Sequence, residues 1–539
     1  MKLPMTAMLL MFAVVFSGCR QKAPVIHSIS PKIGNLEEPL TVNGINFGNE
    51  RGESFVTIGG IQPTGSSYLR WQDDRIVFRV PAFGESGLVY VNTNGKKSNG
   101  ALFANRLRMP MQPEEGETGF GPKITAIKPQ NGSVGTLLEI TGTGFGTSRG
   151  RGGVFFSWSA EMPVSAPAEA RFSEFIETSE TEFGYEMWNE REIRVRVPDG
   201  ATGGNIEIRT ARGGSPPLFF TVTDKPGTKI FRDKQNYTLT SYVNIKTGEA
   251  EAPNSLFLWV PRPASSSSQR NIEMLQSAPL PFMEDYRGTG IYKLEDIAAN
   301  SETRVNITWK VEVYRVETAV RHQQIKQDPL SPVNLAYTQS SPPIPSDDPR
   351  IKSKAAQILG RERNPYQKAR AVYDWMLKEK LITEDRIDTD IFTALETGRA
   401  DPYHAALLYC ALLRSAGVPS LPVAGVLVNR GSTANHYWAE FWVDGFGWIP
   451  VDPAMGAGAV PAPANIREER EKFYFGNLDS QRIAFSRGFT GISPMTPKGR
   501  TVSLERSYAL QSLWEEAAGG LESYTSFWGD IIITGIYAQ

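Results

Sequence analysis

The stretch HYWAEFWVDGFGWIPVDP, residues 436–453, decides how the C-terminal half of this chain is read. It reads as a strand over 436–443, a tight turn over 445–447 and a second strand running into Asp452. An earlier apolar run, PVAGVLV at 422–428, is a further strand, and the polar residues 429–435 (NRGSTAN) between them read as a loop. Upstream the pattern turns helical. Asp347, Asp348 and Pro349 open a helix carrying Ile351, Ala355, Ile358 and Leu359. Asn364 and Pro365 open a second, with Ala369, Val372, Tyr373, Met376 and Leu377 on its apolar face. A third helix runs from about Pro402 to Ala416 and stops at Gly417. Asp401 before Pro402 is the expected N-cap and N1 pair.

The N-terminal part repeats itself. IHSISPKIG at 26–34 aligns with ITAIKPQNG at 124–132, and LTVNGINFG at 40–48 with LEITGTGFG at 138–146, both at an offset of 98. The run from Trp71 to Pro81 aligns with that from Trp188 to Pro198 at an offset of 117. The second copy therefore carries 19 extra residues, expected within 147–187. Short β-branched runs broken by Gly and Pro are the mark of a β-sandwich. Residues 107–121 read as a linker. The runs 237–245, 256–260 and 305–313 predict a third sandwich over 229–325, and the Pro- and Ser-rich 328–348 a linker or surface strap.

Composition agrees with such a chain. Hydrophobic residues make up 40% and charged residues 21% of 539, which excludes wholesale disorder and a polytopic membrane protein. A formal charge of −1 gives no pull toward nucleic acid. Gly 50 and Pro 37 favour many turns, and two cysteines exclude a disulfide scaffold. At the N-terminus Lys2 precedes an apolar stretch over 3–16, too short for a comfortable membrane span, and then Ser17, Gly18 and Cys19.

Three resemblances follow. Phe16-Ser17-Gly18-Cys19 resembles a bacterial lipobox, with Phe16 in place of the usual Leu. It implies a signal peptide over 1–18, a lipid on Cys19, and a protein held on a bacterial membrane facing the periplasm or the cell surface. The repeated Ile-x-x-Ile-x-Pro and Gly-x-x-Phe-Gly patterns resemble IPT/TIG immunoglobulin-like domains, over 25–106 and 122–224. Gly44 and Gly48 would supply the special backbone conformations of the turn around Phe47. Residues 346–492 resemble the transglutaminase-like superfamily. The match rests on LLRSAGVP at 412–419, on the His436 to Pro453 block and on YFGNLD at 474–479. The implied fold class is multidomain, β-rich plus α+β: two Ig-like sandwiches, a third β-sandwich and a papain-type α/β domain. The packing of an extension over 493–539 stays open.

The resemblance assigns His436 and Asp452 to the family's His and Asp, which serve a Cys at a helix N-terminus. The matching position is Pro402, twelve residues before Arg414, so the nucleophile is missing. Cys410 lies eight residues along the same helix, ~12 Å up its axis and ~80° around it, and reads as a buried thiol. Asp401 is the remaining carboxylate near the helix start. A metal site of His404, His436 and Asp452 is disfavoured, because His404 points ~200° from position 402 around the helix, and it reads as a helix-surface or packing residue. No cofactor is expected. Asp401, Tyr403, Trp438 and Trp448 are candidates for lining a cleft, although large aromatics usually fill a core. The leading expectation is a lipid-anchored, non-catalytic binding or scaffold protein, a pseudoenzyme taking a cell-envelope peptide, peptidoglycan or glycan. The alternative is a cysteine-independent hydrolase or acyl transferase acting on peptide or peptidoglycan amides.

Overall fold

The computed structural model describes residues 22–538 except 35–37, 64, 82–85, 106–120, 151, 162–173, 380–381, 384–389, 461–465, 467, 496–498 and 505. The signal segment, Cys19 and almost all of the 107–121 linker lie outside the described residues. The chain forms two compact units, residues 1–105 and 106–539.

The first unit is a β-sandwich. One sheet orders its strands Val25–Ser30, Pro39–Ile45, Arg75–Arg79 and Tyr68–Trp71; the other pairs Ile33–Gly34, Ala101–Asn105, Gly87–Thr93 and Phe55–Ile58. Alternate residues such as Leu40, Val42, Ile76 and Phe78 point into the shared core. The second unit begins with the second copy. Here Ile124 pairs with Gly142 as Ile26 pairs with Gly44, each followed by the same bulge. Trp188 Nε1 donates to the Phe145 carbonyl at 3.0 Å, as Trp71 Nε1 does to that of Phe47 at 3.1 Å. The extra residues fall between Gly153–Trp158 and Tyr185–Trp188, and include a strand, Glu174–Glu177, that extends the sheet beyond Gly153–Trp158.

The glycines of the repeat divide their work differently from the expectation. Gly48 and Gly146 do take positive φ, at 87° and 91°. Gly44 and Gly142 do not; they are required by space. A Cβ on Gly142 would lie 2.1 Å from the Lys123 carbonyl oxygen and 2.4 Å from Phe145 Cζ. Gly142→Ala is therefore expected to cost about 1–3 kcal/mol, as overpacking does. A midpoint in urea unchanged from wild type would contradict this.

The third sandwich uses residues from both ends of the second unit. Gly227–Thr247 and Glu302–Val320 pair along most of their length, with Tyr237, Leu239, Val243, Val305, Ile307 and Val311 facing inward. The tail after residue 492 supplies four strands. Arg500–Val502 and Glu515–Leu521 extend the sheet of Ala250–Pro261, while Tyr524–Trp528 and Ile532–Ala538 pair with Gly227–Thr247.

The α/β domain is built around the helix Pro402–Ser415, whose residues 404–413 are all buried. Pro349–Leu359 and Pro365–Lys378 start at the caps Asp348 and Asn364. A four-stranded antiparallel sheet orders Gly447–Val451, Ser432–Val443, Ser420–Asn429 and Arg482–Arg487. The polar stretch 429–435 is mostly strand rather than loop, since Asn429 already pairs with Ser432. Of the sheet's two faces, Ala439, Phe441 and Val443 meet the central helix. Trp438 and Trp442 meet Trp158 of the second Ig-like domain.

That second face is a sealed seam. Lys229 Nζ lies 2.5 Å from Asp199 Oδ1 and donates to the Trp448 carbonyl at 2.7 Å. Ser267 Oγ donates to the other Asp199 oxygen at 2.8 Å. Arg487 joins Glu440 to Glu182. Gly447, at φ 100°, lets the 443–447 turn approach Asp199, whose Oδ1 would be 2.0 Å from any Cβ there.

Candidate functional site

His436 sits near the start of its long strand and Asp452 caps a short helix, Pro453–Ala457, through its bond from the Met455 N–H. Adjacent strands bring the two together: His436 Nε2 is 2.7 Å from Asp452 Oδ2, both side chains fully buried. The His436 ring stacks on Trp438 at 6.1 Å. Sequence reasoning missed the third member. Arg482 donates from Nη1 to the same Asp452 oxygen at 2.8 Å and from Nη2 to Asp479 Oδ2 at 2.5 Å. Tyr474 donates to Asp479 at 3.1 Å. Asp479 and Tyr474 belong to the YFGNLD block, and Arg482 follows it by three residues, so the block itself was the available signal.

Burial opposes the charge on Asp452, yet His436, Arg482 and the Met455 N–H outweigh it and hold the carboxyl at about 2. Burial likewise opposes the charge on Arg482, and Asp479 and Asp452 overcome it, raising its pKa. A carboxyl depressed from about 3.9 in the unfolded chain stabilises the fold above that value and loses the effect as pH falls toward about 2. The stability difference between wild type and Asp452→Asn is expected to shrink between about pH 4 and 2, by on the order of 2 kcal/mol. A difference constant across that window in acid-urea titrations would refute it.

Pro402 is the first residue of the central helix, and Asp401 caps it by accepting from the His404 N–H at 2.9 Å. The Asp401 carboxylate also meets the His404 ring at 2.8 Å and Arg506 at 3.2 Å, and Arg506 Nη2 lies 3.1 Å from His404 Nε2. His404 is thus a buried packing residue held in a polar triad, not a surface one. His404 and His436 belong to separate networks, so the three residues of the metal candidate are not brought together. Tyr437, beside His436, is the side chain set against the helix start. Its ring lies 5.1 Å from that of Tyr403, and its hydroxyl donates to the Ser507 carbonyl at 2.8 Å. Leu510 packs with Ala406 and Tyr437. Arg506 and Ser507 lie in the tail, more than ninety residues from the helix, where no sequence spacing could point to them.

The aromatic candidates differ in place. Tyr403 is half-buried. Trp438 and Trp448 are 2% and 3% exposed, so neither ring offers a face to a ligand; both lie in the seam described above, because the Ig-like domain packs over that side of the sheet. Cys410 is fully buried, and burial pushes its thiol up to about 12.

A model of the transglutaminase-like superfamily matches residues 352–453, and the IPT/TIG domain matches 24–105 and 122–159. An uncharacterized protein of Haemophilus influenzae is 24% identical over 283 residues, covering 42% of this chain and 75% of its own. The cyclomaltodextrin glucanotransferase of Paenibacillus macerans is 27% identical over 85 residues, 16% of this chain and 12% of its own. Among solved structures, a candidate cysteine protease of Cytophaga hutchinsonii has a TM-score of 0.36 at 14% identity, over 58% of this chain and 92% of its own. A surface glycan-binding protein of Prevotella bryantii has a TM-score of 0.17 at 10% identity, over 54% of this chain and 92% of its own. The chain is a multidomain protein that carries IPT/TIG immunoglobulin-like domains in its first half and a transglutaminase-like core in its second.

Proposed function

We propose that this chain is a membrane-anchored extracytoplasmic lipoprotein whose transglutaminase-like domain binds or scaffolds in the cell envelope without catalysis. One observation carries the reading: Pro402, which has no nucleophilic atom, holds the first position of the central helix. Acyl transfer needs a nucleophile beside its base, and a His–Asp pair alone leaves only a small remnant of activity. Two further features support it. The neighbouring carboxylate, Asp401, is taken up by the helix cap, His404 and Arg506. Asp452 is shared between His436 and Arg482, the arrangement of a structural ion network rather than of a base awaiting a proton. A membrane anchor rests on Cys19 behind its apolar run.

The full chain is expected to hydrolyse no peptide amide and to cross-link no amine donor, by mass spectrometry of a peptide library. Turnover that His436→Ala abolishes would overturn the reading and make Asp401 the first residue to test. In cells, Cys19→Ala is expected to move the protein from the membrane to the soluble fraction. A variant that stays with membranes and keeps its lipid label removes the anchor from the proposal.

A further inference from the structure

The second Ig-like domain packs on the third sandwich at Tyr314 and Arg270, but among the described residues the outward side chains along 236–244 stay exposed or half-exposed, and they carry an ordered line. On the strand Gly227–Thr247 the odd-numbered residues fill the core, so Asn236, Thr238, Thr240, Tyr242 and Asn244 point outward. The tail strands lie alongside. Tyr537 pairs with Asn236, Ile532 with Thr240 and Phe527 with Asn244. These three apolar side chains are 63%, 45% and 59% exposed. From position 236 to 244 the line is about 26 Å long, at the usual rise of a strand.

Both ends of the line are supported from below. Tyr537 lies across Gly535, where an added Cβ would meet its ring at 2.8 Å. Phe527 leans on Tyr242, with centroids 6.2 Å apart. Tyr242 in turn lies across Gly529, where a Cβ would be 2.1 Å from Cζ, and carries Arg304 at 4.2 Å from its centroid. The rings are held by glycine contacts and a cation–π pair, not left to swing. Beside the line runs a parallel row of amides and hydroxyls, with Asn306 opposite Tyr242 and Thr308 opposite Thr240.

The charge on this face selects among partners. Its described exposed or half-exposed ions are Glu273, Glu302 and Glu312 against Lys234, Lys246, Arg304 and Lys310. Lys234 stands 4.0 Å from Glu312 and Lys246 pairs with Glu302 at 2.6 Å, so one positive charge is in excess. A polyanion or an anionic lipid surface finds little net attraction there. An uncharged chain with flat apolar faces and many hydroxyls finds aromatic rings for the first and amides for the second.

We propose that the outer face of the third sandwich, along Tyr537, Ile532 and Phe527, is a binding platform for an extended, uncharged polysaccharide. This goes beyond the reading of the transglutaminase-like domain and uses a different part of the molecule. The test is affinity electrophoresis of the full chain in native gels cast with hydroxyethylcellulose, arabinoxylan or soluble starch. Wild type is expected to be retarded by at least one polymer. Phe527→Ala with Tyr537→Ala is expected to weaken that binding about tenfold or more. Both residues are exposed, so the melting temperature should hold; if the double variant melts early, the two single variants, each weaker than wild type, decide. No retardation by any of the three polymers overturns the proposal, as does equal retardation of wild type and variants. It is also overturned if the double variant instead abolishes self-association in sedimentation or binding to phosphatidylglycerol vesicles. Amide turnover would overturn the non-catalytic reading of the transglutaminase-like domain and leave this platform untouched, and absence of polymer binding would do the reverse.

Discussion

Arg482→Met is expected to destabilise the second unit by about 3–5 kcal/mol, the usual result of removing one partner from a buried ion network. The guanidinium is 2% exposed and contacts two carboxylates that are themselves fully buried, Asp452 and Asp479. Methionine replaces the aliphatic stem but ends short of the guanidinium, which covers the Trp438 ring at 5.0 Å. It cannot answer either charge. Thermal unfolding of the full chain should then begin on the order of 10 °C lower. Adding Asp479→Asn should recover part of the loss, because it removes one of the two stranded charges, and the recovery measures the coupling. A loss below about 1 kcal/mol in Arg482→Met would show that the network is not a structural linchpin. The reading of Asp452 as an engaged structural carboxylate would fall with it.

Lys229→Met is expected to cost a similar amount, about 3–5 kcal/mol, at a different place. Lys229 and Asp199 are 8% and 7% exposed, and the pair ties the second Ig-like domain to the turn at Trp448. Without the ammonium, Asp199 keeps, among the described residues, only the Ser267 hydroxyl. The expected consequence is an early, separate transition in which the Ig-like domain parts from the sheet and Trp158, Trp442 and Trp448 become wet. Limited proteolysis should cut the variant near 223–228 under conditions that leave wild type whole. A single unshifted transition with no new cut would mean that the apolar part of the seam holds the domains unaided.

Much of the architecture is legible in the sequence. The offsets of 98 and 117 located two sandwiches and confined the insertion. The strand alternation of 305–313 and the Asp401–Pro402 and Asn364–Pro365 pairs located a third sandwich and two helix starts. The His436–Asp452 pair was visible because sixteen residues of strand, turn and strand fold back on themselves. All of these signals act over a turn, a cap or a hairpin, where local geometry leaves few alternatives.

What failed to show in the sequence depends on long-range packing. The Trp438 and Trp448 rings look the same in a string of letters whether they line a cleft or fill a seam. Only the docking of the second Ig-like domain through Trp158 and Asp199 buries them. Arg506 reaches Asp401 across 105 residues, and Ile532–Ala538 joins a strand some three hundred residues earlier. Such partners are chosen by which apolar surfaces fit together once the sandwiches have formed, and no period or spacing encodes them. By itself, then, the sequence of this protein determined its modules, its helix caps, the proline at the head of the central helix and the His–Asp hairpin. The tertiary structure alone decided that Arg482 completes the buried pair, that the tail closes the third sandwich, and that its outer face carries a line of rings. Burial and ion pairing are properties of surfaces brought together, whereas strand period and caps are properties of neighbouring residues.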